Sequence, residues 1–267
     1  MAASRSTVEA ACIALACLDL TSLNDGDTEA DVIALCERAV GVHGAAAAVC
    51  VWPRFARLAR AHADHAVRVA AVANFPAGST DIARTLRDVD AIVQAGAQEV
   101  DVVLPWRALL ADDHAACAAL LRATRHACNG LALKVILETG ELRDDASIER
   151  AARLALAEGA DFLKTSTGKT PVSATPQAAE MMLEAIATHT SRPVGFKASG
   201  GIRSVADAAR FLALMRQYLG DAALNPSRLR LGASSLLDDI EAVLGSDDND
   251  ALDARLRGHD EAGHTGY

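Results

Sequence analysis

Eight short β-type runs, each followed by an amphipathic helical stretch, constrain this chain more than any other feature it carries. The strand-like runs are Leu15 to Thr21, Ala46 to Trp52, Arg68 to Asn74, Glu99 to Leu104, Ala132 to Leu137, Asp161 to Thr165, Pro193 to Lys197 and Arg228 to Leu231. Helical stretches follow them at Thr28 to Val40, Arg54 to Ala63, Thr80 to Ala95, Arg107 to Cys128, Asp144 to Glu158, Thr175 to Thr190, Ser204 to Leu219 and Ser235 to Leu244. Strands that alternate with helices build parallel sheet, because each crossover must return the chain to the same end. Thr28, Ser204 and the pair Thr175-Pro176 supply N-cap chemistry where three of these helices begin. Eight units without a linker predict a single-domain α/β fold, a closed (β/α)8 TIM barrel over residues 1–244, entered through an extra N-terminal helix. From residue 245 the chain turns acidic and has little to bury, which predicts a flexible C-terminal tail over 245–267 ending in Tyr267.

Lysine usage points to the chemistry. Lys and Arg together number 26, yet Lys134, Lys164, Lys169 and Lys197 are the only lysines. Three of the four sit inside apolar runs, LALKVILETG, ADFLKTSTG and PVGFKASGG. An ammonium among Val, Ile, Leu and Phe suffers desolvation, so it loses its proton or acquires an anionic partner. A neutral amine in a dry site attacks carbonyls.

Several function classes fall away. A net charge of -9, with no basic run and no aromatic-basic interleaving, excludes a nucleic-acid or anionic-membrane surface. No run approaches the roughly 18 apolar residues that a membrane helix needs. Six cysteines without a CxxC pair read as free thiols of a cytoplasmic protein. His62 and His65, or His114 with Cys117, are three apart on expected helices and read as surface and packing residues, so no metal site and no cofactor is expected.

Barrel enzymes work at the C-terminal ends of their strands. On this reading those ends carry Asp19, Cys50, Asn74, Asp101, Lys134, Glu138, Lys164 and Lys197. Interior salt bridges that merely fix register are the structural alternative, but three buried lysines would be a costly way to build them. Schiff-base chemistry needs one neutral lysine beside a second cation that lowers its pKa. Lys164, followed by Thr165, Ser166 and Thr167, is the better nucleophile, and Lys197 the perturbing cation. Asp101 is a candidate for moving protons through a water. Three small-residue turns, Thr167-Gly168-Lys169, Ser199-Gly200-Gly201 and Gly232-Ala233-Ser234-Ser235, offer backbone N–H groups to a phosphate. The last two follow strands seven and eight, the usual phosphate position in such barrels.

The runs LDLTSLN, CVWPRF, NFPAG, EVDVVLPWRAL, LKVILETGEL, DFLKTSTGK, GFKASGGIR and LGASSLL resemble, in order and across nearly the whole chain, the motifs of the deoxyribose-phosphate aldolase family. The resemblance implies a metal-independent class I aldolase that reversibly cleaves 2-deoxy-D-ribose 5-phosphate to acetaldehyde and glyceraldehyde 3-phosphate. It further implies that Lys164 forms the Schiff base and that Asp101 and Lys197 handle protons. Lys134 would support that network and Asp19 would face the substrate hydroxyls. Phosphate contacts would fall on Gly168, Lys169, Gly200, Gly201, Ser234 and Ser235. A C-terminal tyrosine assists protonation at C2 in this family, which would be Tyr267. Cys50 matches a strand-end cysteine of some members and is a candidate for attack by aldehyde products. Ala198-Ser199 stands where Pro-Ala is familiar, which leaves the lysine and both glycines in place. The partner implied is a small sugar phosphate, and the assembly a homo-oligomer, often a dimer. The rival readings are a Schiff-base aldolase of different donor, a phosphate-binding barrel isomerase with lysines as electrostatic clamps, and a catalytically inactive sugar-phosphate sensor.

Overall fold

The computed structural model describes residues 4–128, 130–142, 144–189 and 191–246. Eight parallel strands close into a barrel: β1 Leu18–Thr21, β2 Ala48–Val51, β3 Arg68–Ala73, β4 Glu99–Val103, β5 Ala132–Ile136, β6 Phe162–Lys164, β7 Gly195–Ser199 and β8 Leu229–Ala233. Neighbours in sequence are neighbours in space, and β8 pairs with β1 to complete the ring. From β2 to β8 the strand residues are almost all buried, as expected when helices cover the outside and side chains fill the inside.

Among the described residues the α-helices are α1 Arg5–Ala16, α2 Glu29–Arg38, α3 Ala56–His62, α4 Ile82–Gln94, α5 Trp106–Leu110, α6 His114–Ala127, α7 Asp145–Ala157, α8 Pro176–Thr188 and α9 Val205–Leu219, with a tenth over 236–246. Their starts follow local chemistry. Thr28 with Asp31, and Ser204 with Asp207, form capping boxes. Thr175 caps α8 and places Pro176 at its first position. Each such cap is worth about 1 kcal/mol. The expected N-terminal helix is α1, which packs on α9 beside the barrel.

Three expectations are corrected. The single helix expected over Arg107 to Cys128 is two, because Asp112 adopts φ 57 and Asp113 caps a new start by accepting from Ala116 N–H. The helix expected over Thr28 to Val40 stops at Arg38, and Val40 pairs with Ala45 in a small hairpin, Val40–Gly41 with Gly44–Ala45. Strands β7 and β8 begin and end later than the expected Pro193 to Lys197 and Arg228 to Leu231, so Lys197 lies mid-strand rather than at a strand end. Asp101 and Lys134 also lie mid-strand, and the charged residues therefore reach down into the barrel. The last described helix continues to residue 246; Tyr267 and the remainder of the expected tail lie outside the described residues.

One close approach explains a glycine. A Cβ on Gly195 would stand 2.2 Å from the Phe162 ring, so β7 can pass that aromatic only without a side chain.

Candidate active site

Alternation along the strands turns seven charged side chains inward. Asp19 comes from β1, Glu99 and Asp101 from β4, Lys134 from β5, Lys164 from β6, Lys197 from β7 and Arg230 from β8, and all are buried. The register sets Lys164 beside Lys197, Lys197 beside Arg230, and Asp101 beside Lys134. Asp101 is the hub. Its Oδ1 accepts from Lys134 Nζ at 2.7 Å, and its Oδ2 accepts from both Lys164 Nζ at 2.9 Å and Lys197 Nζ at 2.8 Å. Asp19 Oδ2 accepts from Lys197 Nζ and lies 3.4 Å from Lys134 Nζ. Lys134 Nζ also meets Glu99 Oε2 at 2.5 Å. Below them Arg230 donates to Asp19 Oδ1 at 2.6 Å and makes a two-pronged contact with Glu99 at 3.0 and 2.7 Å.

The lysines differ in how many carboxylates face them. Among the described residues Lys134 meets three and Lys197 two, whereas Lys164 meets only Asp101. Burial opposes the charge on every one of them. For Lys134 and Lys197 the surrounding carboxylates overcome burial and hold the amine above the usual lysine range. For Lys164 burial prevails: Asp101 resists it, the Lys197 charge assists it, and the amine lies below its ordinary pKa. Against their own desolvation, the cations keep Asp19, Glu99 and Asp101 ionised below the usual carboxylate range. Cys50, its Sγ 3.9 Å from Asp101 Oδ2, is pushed up by burial and by that carboxylate, so it is a neutral thiol.

Lys164 opens onto a cleft of about 290 Å3 at the C-terminal mouth of the barrel. Gly168, Lys169, Gly200, Gly201, Ser234 and Ser235 line it together with Lys164, so the three expected small-residue turns converge on one space. Gly168, Gly200 and Gly201 hold φ of 77°, 84° and 81°, which turns their backbone in a way that side chains oppose. The turns are tied together from below. Ser199 Oγ donates to Ser166 O at 2.5 Å, and Thr165 Oγ1 donates to Ser199 O at 3.2 Å. Glu138, itself at φ 58, accepts from Thr167 Oγ1 at 2.6 Å, from Thr167 N at 3.2 Å and from Thr170 Oγ1 at 3.2 Å. An amine that burial disposes to lose its proton, at the floor of such a cleft, can bond covalently to the carbonyl of a substrate.

Of the sequence-predicted residues, Asp19, Asp101, Lys134, Lys164 and Lys197 form one contact network, and the six anion-turn residues share the cleft above it; Asp19, expected to face the substrate hydroxyls, is instead fully buried against Lys197, Lys134 and Arg230 and does not line that cleft. Tyr267 lies outside the described residues. Sequence reasoning missed Glu99 and Arg230. The signal was present, since Glu99 is two residues from Asp101 on one strand and Arg230 alternates with Leu229 and Leu231 on another.

A closed parallel barrel with a lysine network inside and a glycine-rich cleft at its C-terminal mouth defines the class of barrel proteins that carry an interior lysine site. The chain belongs to the DeoC/LacD family of aldolases, whose model matches residues 13–240. It is 47% identical over 239 residues to a deoxyribose-phosphate aldolase of Agrobacterium fabrum, a match that covers 88% of this chain and 92% of that one. Among solved structures, a provisionally named deoxyribose-phosphate aldolase of Toxoplasma gondii ME49 superposes with a TM-score of 0.83 at 26% identity, covering 90% of this chain and 96% of the other. The tetrameric deoxyribose phosphate aldolase of Aeropyrum pernix gives a TM-score of 0.71 at 25% identity, over 90% and 97% of the two chains.

Proposed function

We propose that this chain is a class I aldolase that reversibly cleaves 2-deoxy-D-ribose 5-phosphate to acetaldehyde and D-glyceraldehyde 3-phosphate, a step in deoxyribose phosphate catabolism. The observation that carries the reading is the position of Lys164: alone among the three buried lysines it lies below its ordinary pKa and opens on the cleft lined by the anion turns. Family membership and the Agrobacterium fabrum relative support the substrate.

Neutral Lys164 Nζ attacks C1 of the open-chain sugar, and the carbinolamine loses water to give a protonated imine. A base then takes the proton of the C3 hydroxyl, the C2–C3 bond breaks toward the imine, and glyceraldehyde 3-phosphate leaves an enamine on Lys164. Protonation at C2 and hydrolysis release acetaldehyde and restore the amine. Asp101, ionised and in contact with all three amines, moves protons through a water, and Lys197 keeps its charge beside it. Lys134 and Asp19 hold that pair in place. Gly168, Lys169, Gly200, Gly201, Ser234 and Ser235 bind the phosphate by backbone N–H groups, hydroxyls and one ammonium. Tyr267 is assigned the C2 proton on family resemblance. The same resemblance supports a homo-oligomer, a dimer in the simplest case, with the tetrameric Aeropyrum pernix relative as precedent for assembly. The free thiols support a cytoplasmic location.

The test is borohydride trapping with deoxyribose 5-phosphate followed by peptide mass spectrometry. An adduct on the Lys164 peptide, lost in Lys164→Ala, is expected. Turnover without an adduct would replace the Schiff base by acid-base isomerase chemistry, and an adduct on Lys197 would exchange the roles of the two lysines.

A further inference from the structure

Within the lysine network the mechanism above leaves two buried charges unused, Arg230 and Glu99 at the floor of the barrel. They are built in with care. Arg230 Nη1 bridges Asp19 and Glu99, its Nη2 donates to Glu99, its Nε donates to Pro226 O at 2.6 Å, and its guanidinium carbon lies 5.5 Å from the Phe162 ring centroid. Every part of that side chain is engaged, and none of it reaches the cleft. A guanidinium held among carboxylates keeps its proton, so Arg230 takes no part in proton transfer. Its contribution is charge.

Asp101 meets the Lys164 amine directly, and Lys134, Lys197 and the neutral thiol Cys50 stand one step beyond it; Asp19 and Glu99 follow through those lysines, with Arg230 and the neutral thiol Cys17 behind them, while Lys169 and Arg203 on the cleft are exposed to water. Arg68 approaches Glu99 at 3.6 Å, but its side chain is 57% exposed and screened by water. The contact network thus holds four cations, counting Lys164, against three carboxylates; the other buried carboxylate, Glu138, accepts from Thr167 and Thr170 outside it. One proton too many is present, and the balance is restored when a lysine becomes neutral. Lys134 and Lys197 are held by several carboxylates, so Lys164 is the one to yield.

We propose that Arg230 and Glu99 are positioning residues for the Schiff-base lysine, setting from the barrel floor the charge balance that keeps Lys164 ready to act as a nucleophile. The proposal rests on the aldolase reading for its purpose but not for its measurement. Replacing Arg230 by Met leaves three cations against three carboxylates, and Lys164 then holds its proton more tightly. Glu99→Gln leaves four against two and releases it. The double variant restores an excess of one.

The full-length protein and these variants are labelled with trace acetic anhydride across a pH series, and acetylation of the Lys164 peptide is read by mass spectrometry. The midpoint is expected to move up by roughly one pH unit in Arg230→Met and down by a similar amount in Glu99→Gln, about tenfold in amine reactivity at fixed pH. The double variant should return to the wild-type midpoint, and Arg230→Lys should stay there. Folding is checked by circular dichroism. If Arg230→Met fails to fold, Glu99→Gln and Arg230→Lys decide alone. Midpoints that stay in place, or move in the same direction for both charge changes, overturn the proposal. Borohydride trapping with acetaldehyde on the same samples separates the two ideas: shifted midpoints without any imine would refute the aldolase reading and leave the charge balance standing.

Discussion

Lys197 and Lys164 donate to the same oxygen of Asp101, and distances of 2.8 and 2.9 Å bound the separation of the two amine nitrogens at their sum, 5.7 Å. At an effective dielectric of about 20, two unit charges at that separation repel by about 3 kcal/mol, or roughly 2 pH units on the Lys164 amine. Replacing Lys197 by Met removes that repulsion. It also frees Asp101 to hold Lys164 more tightly, which acts in the same direction. No carboxylate is orphaned by the change, since Asp19 keeps Arg230 and Lys134 while Asp101 keeps Lys134 and Lys164. The variant should therefore fold, and its acid limb in kcat/KM for deoxyribose 5-phosphate should rise by about 2 units. At a fixed pH below the limb the loss is about a hundredfold, and it is recovered by raising the pH by the same amount. Steady-state kinetics across pH, paired with borohydride trapping, reads this directly. A uniform loss at every pH, with the limb in its original place, would refute the electrostatic role and make Lys197 an obligatory proton donor.

Two further perturbations separate the remaining parts of the site. In Gly200→Ala the new Cβ would stand 2.5 Å from Ser173 side-chain atoms at a backbone φ of 84°, so the anion turn must move; KM for deoxyribose 5-phosphate should rise about tenfold or more, while imine trapping with unphosphorylated acetaldehyde stays at the wild-type level. In Tyr267→Phe, deuterium exchange into the methyl group of acetaldehyde should slow by about 10- to 100-fold with the Lys164 imine still trapped, and unchanged exchange would remove Tyr267 from the mechanism.

Much of this was legible in the chain because barrel architecture repeats a local rule. Periodicity places Lys164 at the end of a strand, and cap residues such as Thr28, Thr175 and Ser204 mark the helix starts that the structure has. Depth inside the barrel was less legible. Lys197 is mid-strand because β7 ends at Ser199, an end that depends on pairing with β8 rather than on local sequence, whereas Asp101 stands inside the run Glu99 to Leu104 in the sequence already. The break between α5 and α6 escaped detection for a similar reason. Helix-favouring residues flank it on both sides, and only the left-handed turn at Asp112, followed by the Asp113 cap, reveals it. Arg230 was hidden by composition, since a chain that solvates itself with arginine disguises the one it buries among carboxylates.

The buried ions also explain a choice the fold alone would not make. Apolar side chains of similar volume at Glu99, Lys134 and Arg230 would fill the barrel with no desolvation penalty, so stability is a poor reason to keep the network. Its geometry makes sense once Lys164 is the reference point. The carboxylates are distributed so that Lys134 and Lys197 are each held by more than one, and Lys164 is left with a share of a single oxygen. Depth in the barrel then sorts the tasks. On the proposed mechanism Arg230 and Glu99 at the floor would set the charge, Asp101 in the middle would distribute protons, and Lys164 at the cleft would meet the substrate. An interior that is expensive to fold is in this way also one whose charges cannot reorganise when a carbonyl arrives, and that fixed electrostatic environment is what a nucleophilic amine inside a barrel requires.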